Sequence, residues 1–438
     1  MIPLAGSHGH SHAHSHGHSH SGRRASRVAS RRAHTIMLLA LVPAILGSLV
    51  TVVLLWPDGR GGPDPRLQPG TVIEERETGA VRATTGGLCP GAPEDRLPDG
   101  TIPDTALCAT ATVEILTGED AGAVLDVPIP PQVYRSGLAE GTRITLGRFP
   151  GGEAAGEGGG TAGAAPSGQV YAWVDFARSL PLGVLALAFA VLVVAVGRLR
   201  GLGALVGLAL AYATIAFYLL PALREQSNAV AVALSSAILI MTVLLYLAHG
   251  FSARTTAALL GTVLGIVMAA GLATWASRAA RLTGLTDEES YTLSTLTGID
   301  DLSGIILAGI IIAGLGVLND VTITQVSAVW EVHEAAPDRS FGELFRSGMR
   351  IGRDHLASTV YTIAFAYAGA ALPTLLLIDL YGRPFDQVIT SGQIAEEVVR
   401  TAVGSIGLIL AIPVTTAIAA AAVARVRPPG RHPAPAEA

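Results

Sequence analysis

Eight runs of about 20 apolar residues, each bounded by charged residues, proline or glycine, dominate this chain of 438 residues. The hydrocarbon core of a bilayer is about 30 Å thick and a helix rises about 1.5 Å per residue, so each run is long enough to cross it. Since unpaired backbone groups are costly in lipid, we expect helices despite the many β-branched residues. The predicted spans are residues 36–55, 180–196, 202–220, 229–248, 255–275, 302–326, 355–377 and 402–423.

The composition agrees with helices packed in lipid. Half of the residues are hydrophobic and only 14% are charged, whereas a soluble domain carries roughly a quarter charged residues. The apolar half is built mainly from Ala, Leu, Val, Ile and Gly, a mixture typical of transmembrane helices. All 29 basic residues are Arg, and 34 Asp and Glu outnumber them. This balance predicts an all-α polytopic membrane protein whose partner is the lipid bilayer, and it argues against a nucleic-acid partner.

The first predicted span, residues 36–55, follows five Arg between residues 23 and 32, which leaves two interpretations. A signal peptide has an apolar region of about 7 to 15 residues before a small-residue cleavage site. Here the apolar run continues for about 20 residues directly into Trp56-Pro57-Asp58. This length favours an uncleaved anchor, transmembrane helix 1, preceded by a disordered cytoplasmic tail over residues 1–35.

The distribution of Arg between the spans indicates the orientation, because short cytoplasmic loops carry an excess of positive charge. With an internal amino terminus, fifteen Arg fall on the cytoplasmic side and five on the outer side. The other nine lie between residues 57 and 178, a segment long enough to be translocated whatever its charge. We therefore expect both termini in the cytoplasm, with a seven-helix domain over residues 180–423 and a cytoplasmic tail over 424–438.

Residues 57–178 form a segment of another kind, rich in Gly, Pro and Thr, with 17 acidic residues against nine Arg. Short alternating or β-branched runs are separated by turn-forming residues, a pattern typical of a small all-β domain. We expect a compact OB-like barrel outside the cytoplasm, inserted between helices 1 and 2, with a Gly-rich insertion or linker at residues 151–168. The candidate strands are residues 70–74, 108–116, 122–127 and 142–147.

Both cysteines of the chain, Cys89 and Cys108, fall in this outer segment. An oxidising compartment permits a disulfide between them, and closing a loop of about 20 residues contributes about 3 kcal/mol on the chain-entropy model. Two free buried thiols are the alternative. The separation of the two residues does not match a zinc or redox motif, which needs at least a Cys-x-x-Cys or further ligands.

The amino-terminal tail carries seven His that alternate with Ser, Gly or Ala. No packed core can hold such a run, so we expect it to be disordered. Neutral imidazoles bind Zn, Cu and Ni, and a flexible array can hold a divalent transition metal without a fixed geometry. The tail therefore either concentrates or senses a metal at the cytoplasmic face, or binds metal only incidentally; we expect no other cofactor. The seven residues are His8, His10, His12, His14, His16, His18 and His20.

Asn319 and Asp320 are the clearest polar residues inside a predicted span, about two thirds of the way along the sixth. An ionisable side chain in the bilayer costs several kcal/mol unless it faces protein or water, so such a residue is a functional candidate. At 100° per residue Asp320 shares one helical face with Thr324, Ser327 and Glu331. That face can line a hydrated path or bind a cation. Alternatively, Asp320 lies nearer the headgroups and hydrogen-bonds to a neighbouring helix.

The same span contains Gly309, Gly314 and Gly316, and we expect these glycines to let a neighbouring helix approach closely.

The cytoplasmic stretch that follows the sixth span carries both signs of charge, with Phe341, Leu344 and Phe345 at helical spacing, which predicts an interfacial helix. Five side chains of this stretch are of types that can bind a metal. They either belong to a solvated, salt-bridged loop or, if the loop folds back, form a metal site. Those donors are Glu331, His333, Glu334, Asp354 and His355.

The sequence gives no support to an enzyme. It contains no serine protease triad, no Walker A loop and no His-Glu-x-x-His motif. An intramembrane aspartyl protease needs two facing aspartates within the membrane, and Asp354 and Asp379 both fall at span ends. We therefore expect no catalytic residue.

Long motifs run from the β-rich segment to the last predicted span. They are Gly197-Arg-Leu-Arg-Gly201, His249-Gly250, Gly298-Ile-Asp300, the segment 307–321 ending in Asn-Asp-Val, Glu331-x-His-Glu, residues 344–354, Tyr367-Ala-Gly-Ala-Ala-Leu-Pro373 and residues 397–413. Together they resemble the YibE/F family of bacterial multipass membrane proteins over roughly residues 72–423. The resemblance implies a multipass fold and a place in the bacterial cell membrane, and it implies no reaction. The His-rich tail lies outside it.

Three functions stay open from the sequence. The first is transport or channel-like movement of a small solute or ion past Asn319 and Asp320. The second is a membrane-embedded scaffold or signalling partner whose external β domain recruits an envelope protein, or which forms a homo-oligomer. The third is metal handling through the His-rich tail.

Overall fold

A computed structural model describes residues 21–59, 75–91, 95–97, 100–149, 163–165, 169–382 and 384–424. The chain divides into two compact units, residues 1–62 with 197–438, here called the helical unit, and residues 63–196, here called the sheet unit. The predicted His-rich tail and the predicted strand at 70–74 lie outside the described residues. The same holds for most of the Gly-rich run at 151–168.

The sheet unit is built on one antiparallel six-stranded sheet with the order β3-β2-β1-β4-β6-β5. Its inward side chains alternate along the strands, and Val81, Val113, Ile144, Leu146 and Tyr171 are fully buried. A small β domain was predicted, and three of its four candidate strands coincide with β2, β3 and β4. The elements are β1 (Glu75–Pro90), β2 (Thr105–Ile115), β3 (Val124–Ile129), the short helix α2 (Pro131–Arg135), β4 (Arg143–Phe149), β5 (Gly163–Ala164) and β6 (Val170–Phe176).

The long strand β1 was missed in the sequence. Residues Glu75 to Ala80 pair with β4, and residues Gly79 to Pro90 pair with β2. The β1–β2 register shifts between Val81 and Ala83, as at a β-bulge. A disulfide joins Cys89 to Cys108 near the end of this hairpin, with the two Cα atoms 5.8 Å apart. In the register Cys89 lies opposite Ala106, so the disulfide runs diagonally between neighbouring strands.

The helical unit consists mainly of long apolar helices. Among the described residues, six helical segments are long and apolar enough to cross a membrane, or seven if a bent pair counts as one span. The elements are α1 (Ser21–Leu54), α3 (Ser179–Thr214), which begins in the sheet unit, a π-helical turn (Ile215–Leu219), α4 (Leu220–Arg224), α5 (Ala229–His249), α6 (Ala253–Ala279), α7 (Glu288–Thr297), α8 (Ser303–Ala335), α9 (Phe341–Ala370), α10 (Leu372–Leu380), α11 (Phe385–Ile389) and α12 (Gly392–Ala424).

Two predicted spans, 180–196 and 202–220, fall in one helical stretch, Ser179–Arg224. Its 46 residues correspond to about 69 Å of helix, more than twice the hydrocarbon core of a bilayer. The stretch is interrupted at Arg198, whose φ of 52° and ψ of −131° are not helical. The boundary between the two compact units, at Gly197, coincides with this interruption.

The predicted span 355–377 is not one straight helix. The helix α9 already starts at Phe341, so the segment predicted as an interfacial helix continues directly into the apolar run. It ends at Ala370, and α10 leaves at an angle of 61°. Pro373 explains the break, because proline lacks a backbone N–H and its ring clashes with the preceding turn of a helix.

The first predicted span lies within α1 and is part of the helical unit. Leu41 is fully buried there, and Nε2 of His34 lies 3.0 Å from the hydroxyl of Thr256 on α6. At the other end of α1 the ring of Trp56 stacks on Tyr218 with centroids 5.9 Å apart. These contacts pack α1 and the residues that follow it against α6 and the π-helical turn.

Close helix packing in this unit depends on glycine, but not on the predicted residues. A Cβ on Gly309, Gly314 or Gly316 would meet no described atom within 4 Å, so the expectation of close approach there is wrong. A Cβ on Gly348 would instead lie 2.7 Å from a methyl group of Thr416 and 2.8 Å from one of Val329. The other close-approach glycines of α6, α9 and α12 are Gly261, Gly265, Gly352 and Gly407.

Substitution of Gly348 by Ala tests this packing. We expect Gly348→Ala to lower the free energy of unfolding by about 1–3 kcal/mol, because the added methyl group must displace Thr416 or Val329. The matched variant Gly316→Ala places the same group in open space on α8, where replacing a helical Gly by Ala stabilises by about 0.5–1 kcal/mol. Thermal unfolding of the purified full-length protein measures both, and equal midpoints for the two variants would contradict the packing described.

Candidate functional site

The predicted polar face of α8 is largely exposed. Asp320, Thr324 and Glu331 are exposed, while Asn319 and Ser327 are partly buried. The hydroxyl of Thr324 donates to the backbone carbonyl of Asp320 at 2.7 Å, within its own helix. The face therefore presents a carboxylate between small residues, since Ala313 and Gly316 are exposed one to two turns earlier.

An ion pair marks where this face meets the polar interface. Arg254, at the start of α6, donates to the Glu331 carboxylate at 2.8 Å and to the backbone carbonyl of Ser327 at 3.1 Å. Charged groups of this kind lie at the end of a membrane helix and not within its apolar part. Asp320 precedes Ser327 by seven residues, which corresponds to about 10 Å along α8. The Asp320 carboxylate thus lies well inside the apolar length of the helix.

Asp320 makes no hydrogen bond or ion pair with another side chain in the described part of the chain. The alternative of a hydrogen bond to a neighbouring helix therefore finds no partner among those residues. The Oδ1 atom of Asn319 is buried and also lacks a described partner. An uncompensated carboxylate in hydrocarbon is so costly that Asp320 needs water, a cation or another polar surface beside it.

The structure brings together a second polar group that the sequence analysis missed. Gln325 is buried, and its Nε2 donates to the backbone carbonyl of Gly348 at 2.6 Å and to the hydroxyl of Thr416 at 2.7 Å. Thr416 in turn donates to the carbonyl of Ile412. Gln325 follows Thr324 directly, but it lies on the opposite, packed side of α8. These bonds hold α8, α9 and α12 together.

Threonine pairs extend this packed side towards α6. The hydroxyls of Thr262 and Thr322 lie 2.6 Å apart, and Thr262 also donates to the carbonyl of Ala258. Thr415 is fully buried beside Gly261. One signal in the sequence was available, namely small residues four apart at 261 and 265 and at 348 and 352, which is typical of closely packed membrane helices.

No cluster of three or more His, Cys, Asp or Glu side chains suitable for a metal ion exists within the described ranges. Glu331 pairs with Arg254, so the predicted metal site of Glu331, His333, Glu334, Asp354 and His355 is not formed there. The donors do not lie in a loop either, because Glu331, His333 and Glu334 are on α8 and Asp354 and His355 are on α9. Glu331 is in an ion pair, and Nδ1 of His333 is buried without a partner among the described residues. The His-rich tail is not described, so its metal binding stays a prediction.

The sheet unit buries its own ionisable cluster. Glu77 is only 3% exposed, and the hydroxyl of Tyr171 lies 3.2 Å from its carboxylate and 3.0 Å from that of Asp120. Arg148 forms ion pairs with Glu75 and Glu119 at 3.1 and 3.2 Å and lies 3.9 Å from Glu77. Burial raises the pKa of Glu77 above its usual value, although Tyr171 and Arg148 oppose the shift. Burial and the two carboxylates likewise raise the pKa of Tyr171.

The raised pKa of Glu77 makes the stability of the sheet unit depend on pH. Because the folded state holds the proton of Glu77 more tightly, the contribution of this group is complete below the unfolded pKa of about 4.3 and declines as the pH rises through the folded value. We therefore expect Glu77→Gln to slow hydrogen exchange in the sheet relative to the parent protein. The slowing should be larger at pH 7.5 than at pH 4.5. Hydrogen exchange of the β1 and β4 amides in the full-length protein measures this difference.

The matched control for that experiment is Glu140→Gln, which removes an exposed carboxylate from the same unit. We expect it to leave the exchange rates nearly unchanged at both pH values. An effect of Glu77→Gln that is independent of pH, or one that Glu140→Gln reproduces, would contradict the assignment.

Comparison with known proteins identifies the helical part of the chain. The family model for YibE/F-like proteins matches residues 185–425, which leaves the sheet of the sheet unit and α1 outside the matched range. No curated protein and no solved structure matches the chain. The matched residues include Asp320, Gln325 and the close-approach glycines of α6, α9 and α12. Since the family model covers more than half of the chain, this protein belongs to the YibE/F family.

Proposed function

We propose that this protein moves a small solute or ion across the membrane along the exposed face of α8. The observation that carries the proposal is the Asp320 carboxylate, about 10 Å inside the polar boundary at Ser327 and without a described partner. A carboxylate at this depth is stable beside water, a cation or another polar surface, and the transport proposal assigns it to water or a cation. Asn319 lies next to Asp320, and Thr324, Ser327 and Glu331 extend the polar face towards the cytoplasmic end.

The topology that we propose has eight spans, with both termini in the cytoplasm of a bacterial cell. The length of Ser179–Arg224 and its interruption at Arg198 support two spans in this stretch. The bent pair of α9 and α10 supplies one more. The basic ends near Arg254 and Arg353 lie on the cytoplasmic side in this topology, as the excess of Arg requires.

For the external domain we propose an OB-like barrel. In this fold the first strand pairs with the second and the fourth, and a helix often joins the third to the fourth. The strand β1 pairs with β2 and β4, and α2 stands between β3 and β4. In addition, β3 lies against β5 and β6 at the far end of the sheet order, which supports closure.

The second candidate function is a scaffold whose external domain binds an envelope protein. Loops of OB-like domains, including the one between the first two strands, are common binding surfaces. Here the β1–β2 hairpin ends in the disulfide of Cys89 and Cys108 and exposes Leu88, Leu97 and Ile102. Exposed apolar side chains on a fixed hairpin favour contact with another protein. If the protein is such a scaffold, the exposed face of α8 need not be in contact with water.

Cysteine reactivity distinguishes the two candidates. The two native cysteines form the disulfide, so a single introduced thiol can be labelled selectively. We expect Asp320→Cys and Thr324→Cys to react with a charged, water-soluble thiosulfonate at least about tenfold faster than Leu264→Cys, since the thiolate forms only in contact with water. Leu264 is the matched control, because it is exposed on α6 and its neighbour Gly265 lies against Leu318 at the same level of the unit.

Equally slow reaction at all three positions would contradict a hydrated path and favour the scaffold. A rapid disulfide between two copies of the Asp320→Cys variant would instead show that a second copy covers this face. The reaction is measured on the full-length protein in lipid vesicles by the mass of the labelled chain.

Flux measurements test the role of the carboxylate itself. We expect vesicles with the parent protein to pass at least one of protons, potassium or manganese faster than empty vesicles, and Asp320→Asn to lower that rate at least about tenfold, equivalent to 1.4 kcal/mol or more. The matched control Asp379→Asn removes an exposed carboxylate of α10 and should leave the rate unchanged. An unchanged rate in Asp320→Asn would remove Asp320 from the path.

A further inference from the structure

A pocket of about 340 Å³ lies at the opposite end of α8 from the Ser327 boundary. Three helix ends meet there, namely the start of α5, the end of α6 and the start of α8. Its polar lining residues are Thr274, Ser277, Arg278, Arg281, Thr283, Asp301 and Ser303. Neither proposed function uses this pocket.

The charges around the pocket favour an anion. Arg278 and Arg281 both line it, and neither guanidinium forms an ion pair with a carboxylate of the described residues. The single carboxylate of the lining, Asp301, accepts a hydrogen bond from the backbone N–H of Ser303 at 2.9 Å. The lining therefore carries two guanidinium groups and one carboxylate, and this net positive charge attracts an anion.

The hydroxyl of Ser277 is a second observation, independent of the charges. Its side chain is only 6% exposed, it lines the pocket, and its hydroxyl has no hydrogen-bond partner in the described structure. A buried hydroxyl without a partner is costly, so such groups are normally satisfied by protein, water or ligand. The hydroxyl can donate to an anion held between the two Arg.

The backbone at Arg281 fixes the position of this residue. Arg281 follows the end of α6 with φ of 51°, in the left-handed region where Gly is the usual residue. The backbone N–H of Leu282 bonds back to the carbonyl of Ser277 at 3.0 Å and fixes this turn. This bond pattern is the usual ending of an α-helix, and here it places Arg281 at the pocket.

We propose that this pocket binds a phosphate-type oxyanion. Arg recognises phosphate oxygens through two parallel N–H donors, and a hydroxyl completes such a site. The volume exceeds that of an inorganic phosphate ion, so the pocket has room for a substituted phosphate, either a lipid headgroup or a soluble phosphate ester. The pocket is separate from the Asp320 face, and the inference does not rest on the proposed transport function.

The test compares free phosphate with anionic lipid. The full-length protein is placed in nanodiscs of phosphatidylcholine, and its unfolding midpoint is measured with inorganic phosphate and with chloride at equal ionic strength. A second preparation contains phosphatidylglycerol in the nanodisc and no inorganic phosphate in the buffer. A saturable stabilisation by phosphate over chloride supports a soluble ligand, and stabilisation by phosphatidylglycerol alone supports a lipid headgroup.

Three variants identify the pocket as the source of the response. We expect the double variant Arg278→Gln/Arg281→Gln to weaken the binding that stabilises the protein, to phosphate or to phosphatidylglycerol, at least about tenfold, since two charge-assisted contacts are lost. Ser277→Ala should weaken it several-fold and leave the protein without phosphate at least as stable as the parent. The control Arg224→Gln removes an exposed Arg at the end of α4, outside the pocket lining, and should respond as the parent does.

Several outcomes would overturn the proposal. They are the absence of any response to both phosphate and phosphatidylglycerol, an equal loss in Arg224→Gln and in the double variant, and an unchanged response in Ser277→Ala. Because both guanidinium groups lie at the surface, we expect the double variant to fold, and its midpoint without phosphate provides the check. If the double variant has a lower unfolding midpoint than the parent without phosphate, the single variants Arg278→Gln and Arg281→Gln are used in its place.

Discussion

Close contact between helices is the constraint on which the helical unit depends. Lipid chains are as apolar as leucine, so membrane helices gain little from apolar burial alone and associate through packing and interhelical hydrogen bonds. In this protein Gly348 and Gly352 bring α9 against α8 and α12, and Gly261 brings α6 against α12. Gln325 and Thr416 can form their short hydrogen bonds only because the backbones approach so closely. The packing and the polar bonds therefore stabilise each other.

This constraint gives α8 two unlike sides. The side with Thr322 and Gln325 is buried and its polar groups are bonded to neighbouring helices. The side with Gly316, Asp320 and Thr324 is exposed, and its carboxylate is not compensated by any described residue. If Asp320 served only to hold helices together, it would belong on the first side. Its place on the second side is the reason to assign it to water, to an ion or to a partner.

Hydropathy was enough to predict the apolar runs and the small β domain, because both follow from local composition. Helical periodicity put Asp320, Thr324, Ser327 and Glu331 on one face, and of these Asp320, Thr324 and Glu331 are exposed and Ser327 is partly buried. It could not show which face meets a neighbour, and so Gly309 and Gly316 were chosen over Gly348 and Gly352. Gln325 was missed for the same reason. The strand β1 was missed because its second half, from Thr84 to Pro90, lacks apolar alternation and is defined by pairing with β2.

The Asp320 carboxylate and the pocket at the start of α8 can be tested separately because they are far apart. Sixteen residues separate Gly304, in the pocket lining, from Asp320, which is about 24 Å along the helix. Two unit charges at that distance interact by about 0.7 kcal/mol at an effective dielectric constant of about 20. A separation of about three Debye lengths at physiological salt weakens this further where water is present. Neutralising Arg278 and Arg281 should therefore leave the thiol reactivity at position 320 unchanged, and loss of the Asp320 carboxylate should leave the response to phosphate intact.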